Sequence, residues 1–178
     1  MQSTTEVIKF AMQMELDGKA FYEKGAAVAV DPAIKDIFKT LAEEEAKHFT
    51  IFKSMRDGAL EEARAGMAAR TQTPKLAKNI FKQLTEAGRD SIAAEGALET
   101  WQEAMRVEEK SEKLYRDAAD KENDAVLKGL LNTIADEEKN HIYLIENMIL
   151  FIKDPQGYAA SSNYASFMSW EGHSSDEL

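Results

Sequence analysis

Val7, Phe10, Met14 and Phe21 recur at spacings of three, four and seven, the interval of an apolar stripe along an α-helix. They predict a first helix from Thr5 to about Val28. Asp31-Pro32 reads as an N-cap followed by proline at the first helical position. It opens a second helix with Ile34, Ile37, Phe38, Leu41, Ile51 and Phe52 on its core side, fading between Arg56 and Gly66. Residues 58 to about 90 are the least patterned part of the chain. Within them Thr73-Pro74 is another cap-plus-proline start, and Leu76, Ile80, Phe81 and Leu84 share a face, predicting a short helix over 74–87. A third long helix is expected over roughly 90–119. Asp124 caps a fourth, which continues to about Lys153 and stops at Asp154-Pro155. Residues 154–178, rich in Ser, Tyr, Gly and Asn, read as an irregular tail packed by Tyr158, Tyr164, Phe167 and Trp170.

The helices repeat. At a constant offset of 93 positions, Ala11, Met12, Glu15, Tyr22 and Ala26 recur as Ala104, Met105, Glu108, Tyr115 and Ala119. At the same offset Asp31, Lys35, Thr40, Ala42, Glu44, Glu45 and His48 recur as Asp124, Lys128, Thr133, Ala135, Glu137, Glu138 and His141. No gap is needed. The chain is therefore expected to be two copies of one helical hairpin joined by a long crossover. Residues 1–153 form a single four-helix bundle with its crossover at about 58–90.

The repeated residues carry chemistry. Glu45-x-x-His48 and Glu138-x-x-His141 each place a carboxylate and an imidazole on one helix face, because residues three apart are neighbours there. Glu15 and Glu108 lie on stripes that face the same interior: Ile8, Ala11, Glu15 and Tyr22 in one, Trp101, Ala104, Glu108 and Tyr115 in the other. Four carboxylates and two imidazoles from four helices are the donor set of a carboxylate-bridged two-metal site. Without metal, four glutamates facing a bundle interior would repel one another and be costly to bury. Mixed carboxylate and imidazole ligation suits iron or manganese, and zinc is compatible with it. Gly18 and Ser111, three positions after Glu15 and Glu108, are expected to leave space for a small molecule. Tyr22 and Tyr115, two turns away, are candidates to hydrogen-bond the ligand carboxylates, with core packing the competing reading. Glu44 and Glu137 are expected to face solvent, as is His173 in the tail. The eight methionines read as gap-filling core residues.

Composition narrows the function classes. The chain has 178 residues, 44% hydrophobic and 30% charged, with three prolines and nine glycines, as suits one helical domain. A formal charge of −10 argues against nucleic-acid or anionic-membrane partners, which want a basic patch. The absence of cysteine excludes disulfides, Cys-ligated zinc, iron–sulfur clusters and a rubredoxin-type iron site within these residues. The longest apolar stretch, residues 142–152, is interrupted by Glu146 and Asn147 and is too short to span a membrane. Met1–Phe10 has neither a basic region nor an apolar core of signal type, so a cytoplasmic location is expected. The final Ser-Asp-Glu-Leu is read as a chance match to a retention signal.

The segments MELDGKAFY, EEEAKHF, RVEEKSEKLY and DEEKNHI resemble those of the rubrerythrin branch of the ferritin-like superfamily, over roughly residues 5–153. The resemblance implies an all-α ferritin-like four-helix bundle with a di-iron centre that handles hydrogen peroxide or dioxygen. By position, Glu45 and Glu138 would bridge the irons, Glu15 and Glu108 would be terminal ligands, and His48 and His141 would each bind one iron. It also implies a homodimer. Two departures stand out. Rubrerythrins usually carry a further glutamate on the third helix, three residues after its first ligand, where this chain has Ser111; Glu112 lies one step further round the helix. They also often carry a Cys-ligated rubredoxin domain, which is absent here. Electrons would then come from a separate donor such as a rubredoxin-type or flavin protein. Peroxide reduction, ferroxidase iron handling, oxygenation of an organic substrate and a non-catalytic module, metal-stabilised or metal-free, all remain open at this point.

Overall fold

The computed structural model describes residues 4–68, 73–86 and 96–172. They form eight helices and no strand among the described residues: α1 (Thr4–Val28), α2 (Pro32–Arg56), α3 (Leu60–Ala68), α4 (Thr73–Glu86), α5 (Ala97–Lys121), α6 (Ala125–Lys153), α7 (Pro155–Ala159) and α8 (Ser162–Ser169). α1 packs along α2 and α5 along α6, and the two hairpins meet through α1–α5 and α2–α6 contacts. This is the expected all-α bundle of two duplicated hairpins.

The repeated aspartates do the same job in each copy. Asp31 accepts from the backbone N–H of Ala33 at 2.8 Å, and Asp124 from that of Val126 at 2.9 Å. Each closes the first turn of a long helix whose initial N–H groups have no partner within the helix. α2 ends where Gly58 takes φ 74°, a left-handed conformation that costs glycine little. The chain then turns into α3.

Where described, the crossover is helical, in α3 and α4. α4 forms with Ile80, Phe81 and Leu84 buried and Leu76 half-buried, as the pattern predicts. α3 escapes detection because only Ala63 and Met67 of its nine residues are buried, too few to show a period. The third long helix begins at Ala97 rather than near Asp90; residues 90–95 lie outside those described, and Gly96 precedes the helix at φ 82°. The tail is helical where described, not irregular. Asp154 accepts from the N–H of Gly157 to start α7, and Ser161 from that of Tyr164 to start α8. Two such short helices carry no readable periodicity, but their aromatics hold them to the bundle: Phe167 is fully buried with its ring 4.6 Å from that of Phe81. Tyr158 and Trp170 are buried and Tyr164 half-buried. His173 and the last residues lie outside those described.

The core is in two parts. One apolar cluster, with Phe38, Trp101 and Leu144, is covered by α4, α7 and α8. The other, with Ile8, Phe52 and Leu130, is covered by α3. Between Ile8 and Tyr22 on α1, and between Trp101 and Tyr115 on α5, the inward positions are occupied by Glu15 and Glu108. The bundle is thus apolar at both ends of a buried charged layer.

Candidate metal centre

All six predicted donors meet in that layer. Glu15, Glu45, Glu108 and Glu138 are buried, as are His48 and His141. Their ligand atoms fall into two groups of four, each within 4.8 Å of one another: Glu15, Glu45, His48 and Glu138 in one, Glu45, Glu108, Glu138 and His141 in the other. Glu45 and Glu138 belong to both groups. His48 Nδ1 lies 3.1 Å from Glu138 and 3.4 Å from Glu15. His141 Nδ1 lies 3.2 Å from Glu138, 3.4 Å from Glu45 and 3.6 Å from Glu108.

The orphaned atoms test whether these residues fit a metal. Glu15 Oε2, Glu45 Oε1, both Glu138 oxygens and the Nδ1 atoms of both histidines are buried without hydrogen-bond partners. Buried polar atoms are nearly always satisfied, so six of them converging on one layer need a common partner. Cations supply one, since carboxylate oxygens and imidazole nitrogens are donors to divalent metals. The residues fit a metal centre.

Electrostatics in the metal-free protein point the same way. Burial, followed by the charges of Glu108, Glu15 and Glu138, pushes the Glu45 carboxyl well above its usual range. Burial and the neighbouring Glu15 and Glu108 raise Glu138 to about 7. Burial opposes charge on both imidazoles, but the surrounding carboxylates outweigh it and raise His48 and His141 well above their ordinary value. Burial likewise acts to raise Glu108, yet the His141 charge and the Tyr22 hydrogen bond hold it below. The layer holds protons where a metal would otherwise bring positive charge.

The tyrosines cross between the hairpins. Tyr22 on α1 donates to Glu108 on α5, and Tyr115 on α5 donates to Glu15 on α1 at 2.5 Å. Burial first, then the adjacent carboxylates, keeps both phenols well above their usual pKa and so protonated as donors. They are held by hydrogen bonds to the carboxylates as well as by packing.

Two expectations are corrected. Gly18 leaves no room for a small molecule: a Cβ there would lie 2.5 Å from Glu45 Oε2, so the missing side chain is the space the Glu45 carboxylate occupies. Glu137 does not face solvent. Its carboxylate is buried and accepts a hydrogen bond from His48 Nε2 at 2.7 Å, with Lys47 Nζ at 3.2 Å. Burial raises its carboxyl, but the His48 bond and charge and Lys47 hold it below the usual range. Glu44 is half-buried, 3.6 Å from Lys47. The signal for this pair lay in the repeat, where Glu44 and Glu137 are identical counterparts.

The family model described as Rubrerythrin matches residues 6–149, the whole of the four-helix bundle except the ends of α1 and α6. No curated protein gives a significant match to the chain, and no solved structure does. Among the described residues no helix is long and apolar enough to cross a membrane.

Proposed function

The chain belongs to the rubrerythrin family, and on that footing we propose that it is a non-haem di-iron oxidoreductase that reduces hydrogen peroxide or dioxygen with electrons from a separate donor. The observation that carries this reading is the pair of four-donor groups sharing Glu45 and Glu138. In this reading Glu45 and Glu138 would serve both metal positions, Glu15 and His48 would hold one, and Glu108 and His141 would hold the other. When bound, two ferrous ions would supply two electrons, enough with two protons to take hydrogen peroxide to two waters or dioxygen to hydrogen peroxide. The rest is work for the side chains. Tyr22 and Tyr115 hold Glu108 and Glu15 in place through the reaction. The apolar clusters at either end keep bulk water from the layer, which strengthens electrostatic interactions within it. These residues contain no cysteine, so in this reading re-reduction draws on a donor outside them.

Ser111 favours a second reading. It is buried at the place where the family usually carries a further glutamate, so this chain lacks a carboxylate at that position for ligand exchange. A ferroxidase that oxidises and passes on iron would need none.

The experiment is to load the protein with Fe(II) without air, count the metal and add hydrogen peroxide or dioxygen. Two irons per chain oxidised rapidly by peroxide, with loss of the reaction in Glu45→Ala and Glu138→Ala, supports peroxide reduction. Reaction with dioxygen alone, with Fe(II) consumed well beyond two per chain, supports the ferroxidase. A protein that binds no metal and stays folded without these glutamates overturns both.

A further inference from the structure

The offset of 93 makes Glu44 the counterpart of Glu137, and Lys47 the counterpart of Asn140. In a strictly symmetric bundle the outer nitrogens of the two histidines would have the same surroundings. They do not. His48 Nε2 is bonded to Glu137 at 2.7 Å, and Lys47 Nζ holds the two oxygens of that carboxylate at 3.2 and 3.4 Å. Donor atoms of Glu44 and Glu137 both lie within 4.8 Å of that of His48. His141 Nε2 is equally buried and has no hydrogen-bond partner.

We propose that Glu137, held by Lys47, makes the two metal positions inequivalent: the position of His48 is pre-organised and fills first, and the position of His141 binds more weakly and exchanges its ion. The inference rests on the two-metal reading above. Glu137 acts as a positioning residue in this proposal, because its carboxylate touches the imidazole Nε2 and is in neither four-donor group. A carboxylate that accepts from Nε2–H fixes the tautomer whose lone pair sits on Nδ1, the atom that faces Glu15 and Glu138. It also fixes the ring plane and raises the basicity of the metal-facing nitrogen. Lys47 keeps the carboxylate in place and offsets its charge. At the other position the lysine is replaced by the neutral Asn140, and no carboxylate fixes the tautomer of His141.

The test is a titration of the metal-free full chain with Co(II), whose visible absorption reports each bound ion, followed by the rate at which a chelator strips it. Two resolved steps are expected, separated by ~10–100-fold in affinity, the usual effect of such outer partners. His141→Ala should keep the tight step and His48→Ala should lose it. Glu137→Ala and Lys47→Met should weaken the tight step toward the other and leave the weaker one unchanged. Glu137→Gln, which still accepts from Nε2–H, should recover part of the loss while helicity stays that of the unaltered protein. Glu137→Ala weakening both steps equally, or neither, overturns the proposal, as does a tight step that survives in His48→Ala. So does a third Co(II) that depends on Glu137, because that would make Glu137 a ligand. If the unaltered chain binds no Co(II), the two-metal reading itself fails. Two ions held and released identically sink this inference alone.

Discussion

Tyr115 on α5 donates its hydroxyl to Glu15 on α1 at 2.5 Å, so the phenol of one hairpin orients the carboxylate of the other. Tyr22 returns the same bond to Glu108. Tyr115→Phe should destabilise the metal-free protein by ~1–3 kcal/mol, the cost of leaving a buried acceptor unsatisfied. Urea unfolding of the chelator-treated variant measures it. A variant as stable as the unaltered protein would show that the hydroxyl contributes only packing.

Gly18→Ala separates stability from metal binding. Alanine favours a helix over glycine by up to ~1 kcal/mol. The new Cβ would nevertheless displace the Glu45 carboxylate, a donor in both groups. The expected result is a metal-free protein of undiminished thermal stability whose affinity for Co(II) falls ~10-fold or more. Unchanged affinity would mean that Glu45 finds an equivalent place.

The metal-free protein should lose stability as pH rises. Glu45 and Glu138 titrate above their ordinary value of 4.5, Glu138 at about 7. His48 and His141 titrate above 6.5. The folded state therefore holds more protons than the unfolded chain, first on the carboxylates above pH 4.5 and then on the histidines above 6.5, and this stability drains away as pH climbs through the folded values. Glu108 and Glu137 are shifted the other way, so their contribution is lost only as pH falls below about 4.5. Metal displaces the same protons, and its affinity grows with pH. The gap in melting temperature between loaded and metal-free protein should widen from pH 5 to pH 8. A gap that stays constant would contradict the charge assignment.

Phe167→Ala tests whether the tail belongs to the core. Its ring is fully buried among Phe81, Tyr143 and Trp170. Truncation should cost ~3–5 kcal/mol in urea unfolding. A cost near zero would mean that α8 contributes little to the global stability.

The two Glu-x-x-His pairs and the caps were legible in sequence because each is a local relationship. Three-residue spacing on a helix, or a cap one residue before proline, needs no knowledge of the rest of the fold. The inward face of α1 was only half legible. The stripe through Val7, Phe10, Met14 and Phe21 lies beside that face, and Phe10 is 59% exposed. The buried face runs through Ile8, Ala11, Glu15, Gly18 and Tyr22, where carboxylate and glycine replace bulk. A helix that buries charge blurs the apolar period used to find its inner side. Glu137 was missed for a different reason. Its partner His48 comes from another helix, and spacing along one helix cannot report a contact between two. α7 and α8 were too short for any period, although their caps, Asp154 and Ser161, stood in plain view.

The contrast between Lys47 and Asn140 has a consequence for how such a bundle can change. A bundle assembled from two identical hairpins would have to place the same residue beside both histidines, and every substitution would strike twice. Joining the hairpins in one polypeptide releases that constraint. Each half can then mutate on its own account, and the crossover is the link that allows one histidine to acquire a charged brace its twin does not share.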